Sequence, residues 1–119
     1  MTKRNVSFHV HNEKIVGTLF YPDGQGDFPA VIFYHGRGSR QERYFKRAEA
    51  LCRKGFIAFT FSFRGCGESE GNFSKQTTEE GLQDALKAFD FLLVQKHVNK
   101  DKIGIWGGSL GGYLGALVA

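Results

Sequence analysis

Hydrophobic positions along the chain follow two rhythms. Over residues 5–11 (Asn-Val-Ser-Phe-His-Val-His) apolar and polar side chains alternate, as in a strand with one face buried. Residues 14–21 (Lys-Ile-Val-Gly-Thr-Leu-Phe-Tyr) predict a second strand, with Asn12-Glu13 as a short polar turn, so the two make an antiparallel hairpin. Pro22 to Asp27 is a loop by composition. From residue 30 the pattern changes. The runs 30–34 (Ala-Val-Ile-Phe-Tyr) and 56–61 (Phe-Ile-Ala-Phe-Thr-Phe) are almost continuously apolar, as expected of parallel strands covered on both faces. Between them, residues 41–54 place Tyr44, Ala48, Leu51 and Cys52 on one helical stripe, with Gly55 as its C-terminal stop. Residues 78–95 carry Leu82, Ala85, Leu86, Phe89, Leu92 and Leu93 at helical spacing, and Thr77 or Thr78 is the N-cap ahead of Glu79 and Glu80. Residues 103–106 form a third short apolar strand, and another helix begins at Leu110. Strand and helix alternating three times predict an α/β fold with a mostly parallel sheet, right-handed crossovers and a leading antiparallel hairpin.

Length and composition narrow the class. The 119 residues amount to one domain, 1–119, able to bury roughly two thirds of the surface its unfolded chain exposes. A hydrophobic content of 41%, with 12 Phe, excludes a disordered chain. Gly, Lys and Arg interrupt every apolar run well short of the ~18 residues of a membrane span. The N-terminus carries Lys3 and Arg4 without a following apolar stretch, so it does not read as a signal peptide. The net charge of +4 is mild, and Lys3, Arg4, Arg37, Arg40, Arg43, Lys46, Arg47, Arg53 and Lys54 are interspersed with acids. That distribution, without a reading motif, argues against nucleic acid as a partner, and residues 40–54 read as a solvated helix face. Cys52 and Cys66 lack any CxxC or zinc-like spacing and read as reduced thiols of a cytoplasmic protein.

The chemistry concentrates at Gly107-Gly108-Ser109-Leu110-Gly111-Gly112, which contains Gly-x-Ser-x-Gly between a strand and a helix. A serine presented on a sharp strand-to-helix turn needs glycine two residues before and after it, because side chains there would collide across the turn. Ser109 is then the candidate nucleophile, and the backbone N–H of Leu110, at the helix start, points at a developing oxyanion. The competing reading is a glycine-rich packing turn or a phosphate cradle. No Walker A lysine is present, and no GxGxxG follows the first buried strand. His35-Gly36-Arg37-Gly38 directly follows that first strand, and its glycines free the Arg37 N–H to act as a second oxyanion donor. The His35 side chain itself reads as structural, tying the loop down. A third glycine-rich turn, residues 63–69 (Phe-Arg-Gly-Cys-Gly-Glu-Ser), holds Cys66, read as inert for want of a nearby base.

Taken in order, these motifs resemble the N-terminal half of an α/β-hydrolase of the dienelactone hydrolase, serine aminopeptidase and feruloyl esterase kind: hairpin, His-Gly-x-x-Gly, Arg-Gly-x-Gly-x-Ser, amphipathic helix, Gly-x-Ser-x-Gly. The resemblance runs from about residue 5 to the last. It implies a serine hydrolase, a carboxylic-ester hydrolase before a peptidase, forming an acyl-enzyme on Ser109 without metal or organic cofactor. It also implies Leu110 and Arg37 as oxyanion donors, Gly107 and Gly111 as elbow glycines, and His35-Gly36 as loop framework. Ser62 departs from the pattern, standing where relatives often carry a loop-supporting aspartate. In this fold the triad acid and histidine come after the serine, whereas the ten residues following Ser109 contain neither. His9, His11 and His97 are expected far from the elbow. The domain therefore reads as incomplete, truncated after the elbow helix, and the chain by itself as weak or inactive. The alternative function is a non-enzymatic interaction module, or half of a split enzyme, that pairs through an open sheet edge to another copy or to a complementing C-terminal half. Arg37, Arg40 and Tyr44 are expected near the site mouth, where surface solvation competes with recognition of an acidic or aromatic substrate.

Overall fold

The computed structural model describes residues 1–108 and 110–119, with the Leu110 side chain outside the description. Strands β1 (Thr2–Val10), β2 (Glu13–Tyr21), β3 (Phe28–Tyr34), β4 (Ile57–Phe61) and β5 (Val98–Gly107) form one sheet in the order β1-β2-β4-β3-β5. Antiparallel pairing joins β1 to β2 and β2 to β4, and β3 runs parallel to both β4 and β5. Helix α1 (Phe45–Arg53) covers one face, while α2 (Thr78–Leu93) and α3 (Leu110–Val118) cover the other. This is the α/β architecture with a leading antiparallel hairpin that the hydrophobic pattern predicts, its sheet mixed, with two antiparallel and two parallel pairings among the described residues.

Alternation along β3 and β4 explains why those runs are apolar throughout. Ala30, Ile32, Tyr34, Ile57, Phe59 and Phe61 face the core under α2 and α3, whereas Phe33 and Ala58 face α1 together with Ala48 and Cys52. Successive strand side chains point to opposite faces, so a strand sandwiched between helices has no polar side. Helix α2 lies close to the sheet because its inner face is built of small residues, Gly81, Ala85 and Ala88, and the Tyr34 hydroxyl donates to the Ala85 carbonyl at 2.9 Å. Thr77 caps α2, its hydroxyl accepting the Glu80 N–H at 3.1 Å.

Several boundaries differ from expectation. The hairpin turns on His11 and Asn12 rather than Asn12-Glu13, both with positive φ (47° and 67°), the handedness that matches the twist of a two-residue hairpin. Residues 41–44 form a 3-10 turn before α1 begins at Phe45. Strand β5 starts at Val98, five residues before its apolar stretch: Val98 pairs with Phe28, the register then shifts before Ile103 meets Ala30, and Lys100, Asp101 and Lys102 in between face solvent. Leu86 is 46% exposed: the buried stripe of α2 runs through Gly81, Asp84, Ala85, Ala88 and Leu92, and Leu86 lies a third of a turn off it.

Candidate active site

The loop after β3 is held by its own histidine. His35 is 3% exposed; its Nε2 accepts the Phe63 N–H at 3.0 Å and its Nδ1 lies 2.7 Å from the Gly36 carbonyl. A backbone N–H can only donate, so Nε2 carries the lone pair and the proton sits on Nδ1, donated to Gly36. Burial pushes the imidazole below its ordinary range, consistent with a neutral ring. Both nitrogens are occupied, which makes His35 structural. The Gly36 carbonyl also accepts the Ser39 N–H at 3.0 Å. Carbonyl and N–H of one trans peptide point in opposite directions, so fixing the Gly36 oxygen from that side turns the Arg37 N–H away from it. That N–H meets no acceptor among the described residues.

Ser109 lies outside the described residues, and so does any statement about its geometry. Its neighbours are informative. A Cβ added at Gly111 would run into the Tyr34 carbonyl oxygen and come within 2.6 Å of the His35 oxygen. A Cβ at Gly107 would sit 2.5 Å from the Gly112 Cα. The end of β5 and the start of α3 are thus pressed backbone to backbone, and both against the end of β3. Two bonds fix the reversal: the Gly108 N–H donates to Tyr34 O at 3.2 Å, and the Gly111 N–H to Gly108 O at 2.9 Å. Leu110 opens α3, so its amide belongs to that helix's first turn.

The structure therefore brings His35, Gly36, Arg37, Gly107 and Gly111 together at the carboxyl ends of the adjacent parallel strands β3 and β5. That is where open α/β sheets bind ligands. A cleft of about 340 Å³ opens there, lined by Gly36, Arg37, Ser39, Arg43, Tyr44 and Gly108. The Tyr44 hydroxyl lies 2.6 Å from the point where a Gly108 Cβ would sit, so Tyr44 fills the space that glycine leaves. A smaller hollow of about 40 Å³ lies on the other side of the loop, between Phe63, Phe73 and Leu114. Arg40, expected at the site mouth, lines a separate hollow with Gly65 and Gly67, and Arg43 takes its place. His9 and His11 belong to the hairpin at the far edge of the sheet, and His97 precedes β5, at the opposite end of that strand from Gly107.

Two supporting features escaped sequence reasoning. Arg64 and Asp84, 3% and 0% exposed, form a buried ion pair: Nε donates to Oδ1 at 2.7 Å and the Arg64 backbone N–H to Oδ2 at 3.0 Å. A carboxylate on the apolar stripe of α2 was the available signal, because such a group must be paired. Ser62, buried, accepts the Gln41 N–H at 2.9 Å, and its carbonyl takes the Ser69 hydroxyl at 2.6 Å; a hydroxyl thus supports the loop where an aspartate was expected. Burial pushes the Cys66 thiol up, in keeping with its inert reading. Among the described residues, no His/Cys/Asp/Glu group is arranged to hold a metal, and no helix is long and apolar enough to cross a membrane.

Sheet order, crossover helices and a glycine-walled turn between the β5 strand and the α3 helix define an α/β hydrolase. The chain belongs to the family described as Serine aminopeptidase, S33, whose sequence pattern matches residues 28–119. It is 32% identical over 108 residues to an uncharacterized 31.7 kDa protein in the traX-finO intergenic region of Escherichia coli, covering 90% of this chain and 38% of that protein. It is 31% identical over 110 residues to acyl-coenzyme A thioesterase 3 of Mus musculus (92% and 24%). Among solved structures, Est1E from Butyrivibrio proteoclasticus with ferulic acid bound superimposes with a TM-score of 0.87 at 25% identity, covering 96% of this chain and 46% of that one. The chain thus spans less than half the length of these relatives.

Proposed function

We propose that this chain carries the nucleophile and oxyanion-binding half of a serine hydrolase that cleaves carboxylic esters or thioesters. The Ser109 Oγ attacks the acyl carbon and gives up its proton to a base. The carbonyl oxygen becomes an oxyanion held by the N–H groups of Arg37 and Leu110. Collapse of the tetrahedral intermediate breaks the bond to the alcohol or thiol, which leaves with the proton, and water then releases the acid from the acyl-enzyme. The observation that carries this reading is the Arg37 N–H, turned out by the doubly bonded Gly36 carbonyl and meeting no acceptor among the described residues, beside the glycine-walled turn. Two preorganised amides of this kind are each worth about 3 kcal/mol of transition-state stabilisation. The ester or thioester preference is supported by the thioesterase relative and by the Est1E likeness.

The base is not His35, whose two nitrogens are engaged. It comes from outside these 119 residues, from a longer natural polypeptide that contains them or from a second, complementing chain. Labelling with a fluorophosphonate, read by intact mass, tests both statements. A single adduct on the natural polypeptide, abolished by Ser109→Ala, is expected, with labelling of the 119-residue chain much slower. An adduct that survives Ser109→Ala refutes the nucleophile, and full-rate ester turnover by the 119-residue chain refutes the external base.

A further inference from the structure

The residues lining the cleft beside the elbow carry charge of one sign only. Arg37, Ser39, Arg43 and Tyr44 are the cleft's polar lining residues, and no carboxylate-bearing residue lines it. Neither arginine has a carboxylate within ion-pair distance among the described residues. Arg47, four residues beyond Arg43, lies over the rings of Tyr44 (5.7 Å) and Trp106 (5.6 Å). Arg37 lies over the Phe73 ring at 5.2 Å. Arg43, in the 3-10 turn, and Arg47, in the first turn of α1, are like charges without an ion-pair partner among the described residues. Residues 37–47, up to the first turn of α1, carry five basic side chains against one acidic one. An anion in the cleft relieves the repulsion of these like charges and meets side chains with no other ionic partner among the described residues.

The geometry points to an anion-binding subsite beside the elbow, in which Arg43, with the Tyr44 hydroxyl, holds a carboxylate or phosphate carried by the substrate. The inference rests on the hydrolase reading above and names its substrate class: esters or thioesters bearing a negative group a short distance from the scissile carbonyl. Because Gly108 lies in the cleft wall, a bound anion sits next to the elbow rather than on a remote surface. The charges lie on the wall of an open cleft, so a single arginine contributes about tenfold.

The test compares kcat/KM of the natural polypeptide for 4-nitrophenyl hemisuccinate and 4-nitrophenyl butyrate, which places the anion on the acyl side. A second pair, 3-acetoxybenzoate and phenyl acetate, places it on the leaving group. In one pair or the other, Arg43→Gln is expected to lower the anionic-to-neutral ratio about tenfold, with Arg43→Lys restoring most of it. Tyr44→Phe, which removes the hydroxyl beside Gly108 in the cleft wall, is expected to lower the same ratio by a smaller factor. Ratios within twofold of wild type in both pairs, for both variants, overturn the subsite and leave the hydrolase reading intact. If no ester is turned over and Ser109 takes no adduct, the hydrolase reading fails instead. Binding then decides the subsite alone: Trp106, the single tryptophan, reports saturable titration by succinate or inorganic phosphate. A response lost in Arg43→Gln supports the subsite, and no saturable response, or one unchanged in that variant, overturns it.

Discussion

The Arg64–Asp84 pair makes a sharp prediction because the fold commits two charges to its interior at one point. In Asp84→Asn the shape is kept but the charge and one acceptor are lost. The guanidinium, 3% exposed, then faces an amide, and either Nε–H or the Arg64 backbone N–H meets an NH₂ group in place of an oxygen. Removing one partner of a buried pair costs about 3–5 kcal/mol. Glu13, 3.4 Å from Nη1 and itself 39% exposed, supplies a partial counter-charge, which places the expected loss at the lower end, about 3 kcal/mol. For a chain of this size that is a fall in Tm on the order of 10 °C. Urea unfolding followed by far-UV circular dichroism measures it. The double variant Arg64→Met/Asp84→Leu removes both charges and is expected to recover part of the loss. It does not recover all of it, because the Arg64 N–H loses its acceptor, which costs about 1–3 kcal/mol. A loss below about 1 kcal/mol in Asp84→Asn, or a double variant worse than the single one, refutes the reasoning.

His35 predicts a pH dependence. Burial lowers its folded-state value below the ordinary one of about 6.5, so the unfolded chain binds the proton first. Its contribution to stability is complete above about pH 6.5 and is lost as pH falls through the lower folded value; His35→Gln should flatten that part of the stability profile from pH 7 to 5, and an unchanged slope contradicts the neutral assignment. Gly111→Ala drives a Cβ into the Tyr34 carbonyl, a backbone atom that cannot swing aside, and is expected to cost 3 kcal/mol or more by urea unfolding (~3, the upper end for overpacking). Gly26→Ala, where a Cβ meets nothing within 4 Å, tests the strain of φ +99° alone and should cost less.

Much of the scaffold is legible along the chain because its causes are local. Covering both sheet faces demands the unbroken apolar runs of the β3 and β4 strands, and Thr77 announces the α2 helix through one hydroxyl-to-amide bond. Gly107 and Gly111 are readable for the same reason, since two backbones in contact admit no other residue. The hairpin turn was misplaced by one residue because His11 adopts positive φ without being glycine, a choice made by the pairing of the flanking strands. Leu86 fits the helical spacing yet stays exposed, because apolar spacing alone does not say which of two overlapping stripes meets the sheet.

The amino-acid sequence by itself determined the order and kind of elements, the elbow's glycine frame and the loop from which an amide could be offered. Each of these follows from side-chain period or from backbone sterics within a few residues. Tertiary structure alone decided that Phe63 occupies Nε2 of His35, so the ring is neutral and the Arg37 N–H is turned outward. Packing likewise joined Asp84 to Arg64 across twenty residues, and set Arg43 rather than Arg40 on the wall of the cleft. These outcomes depend on which groups from distant segments arrive within 3 Å of one another, and that distance is set by how the helices lie on the sheet.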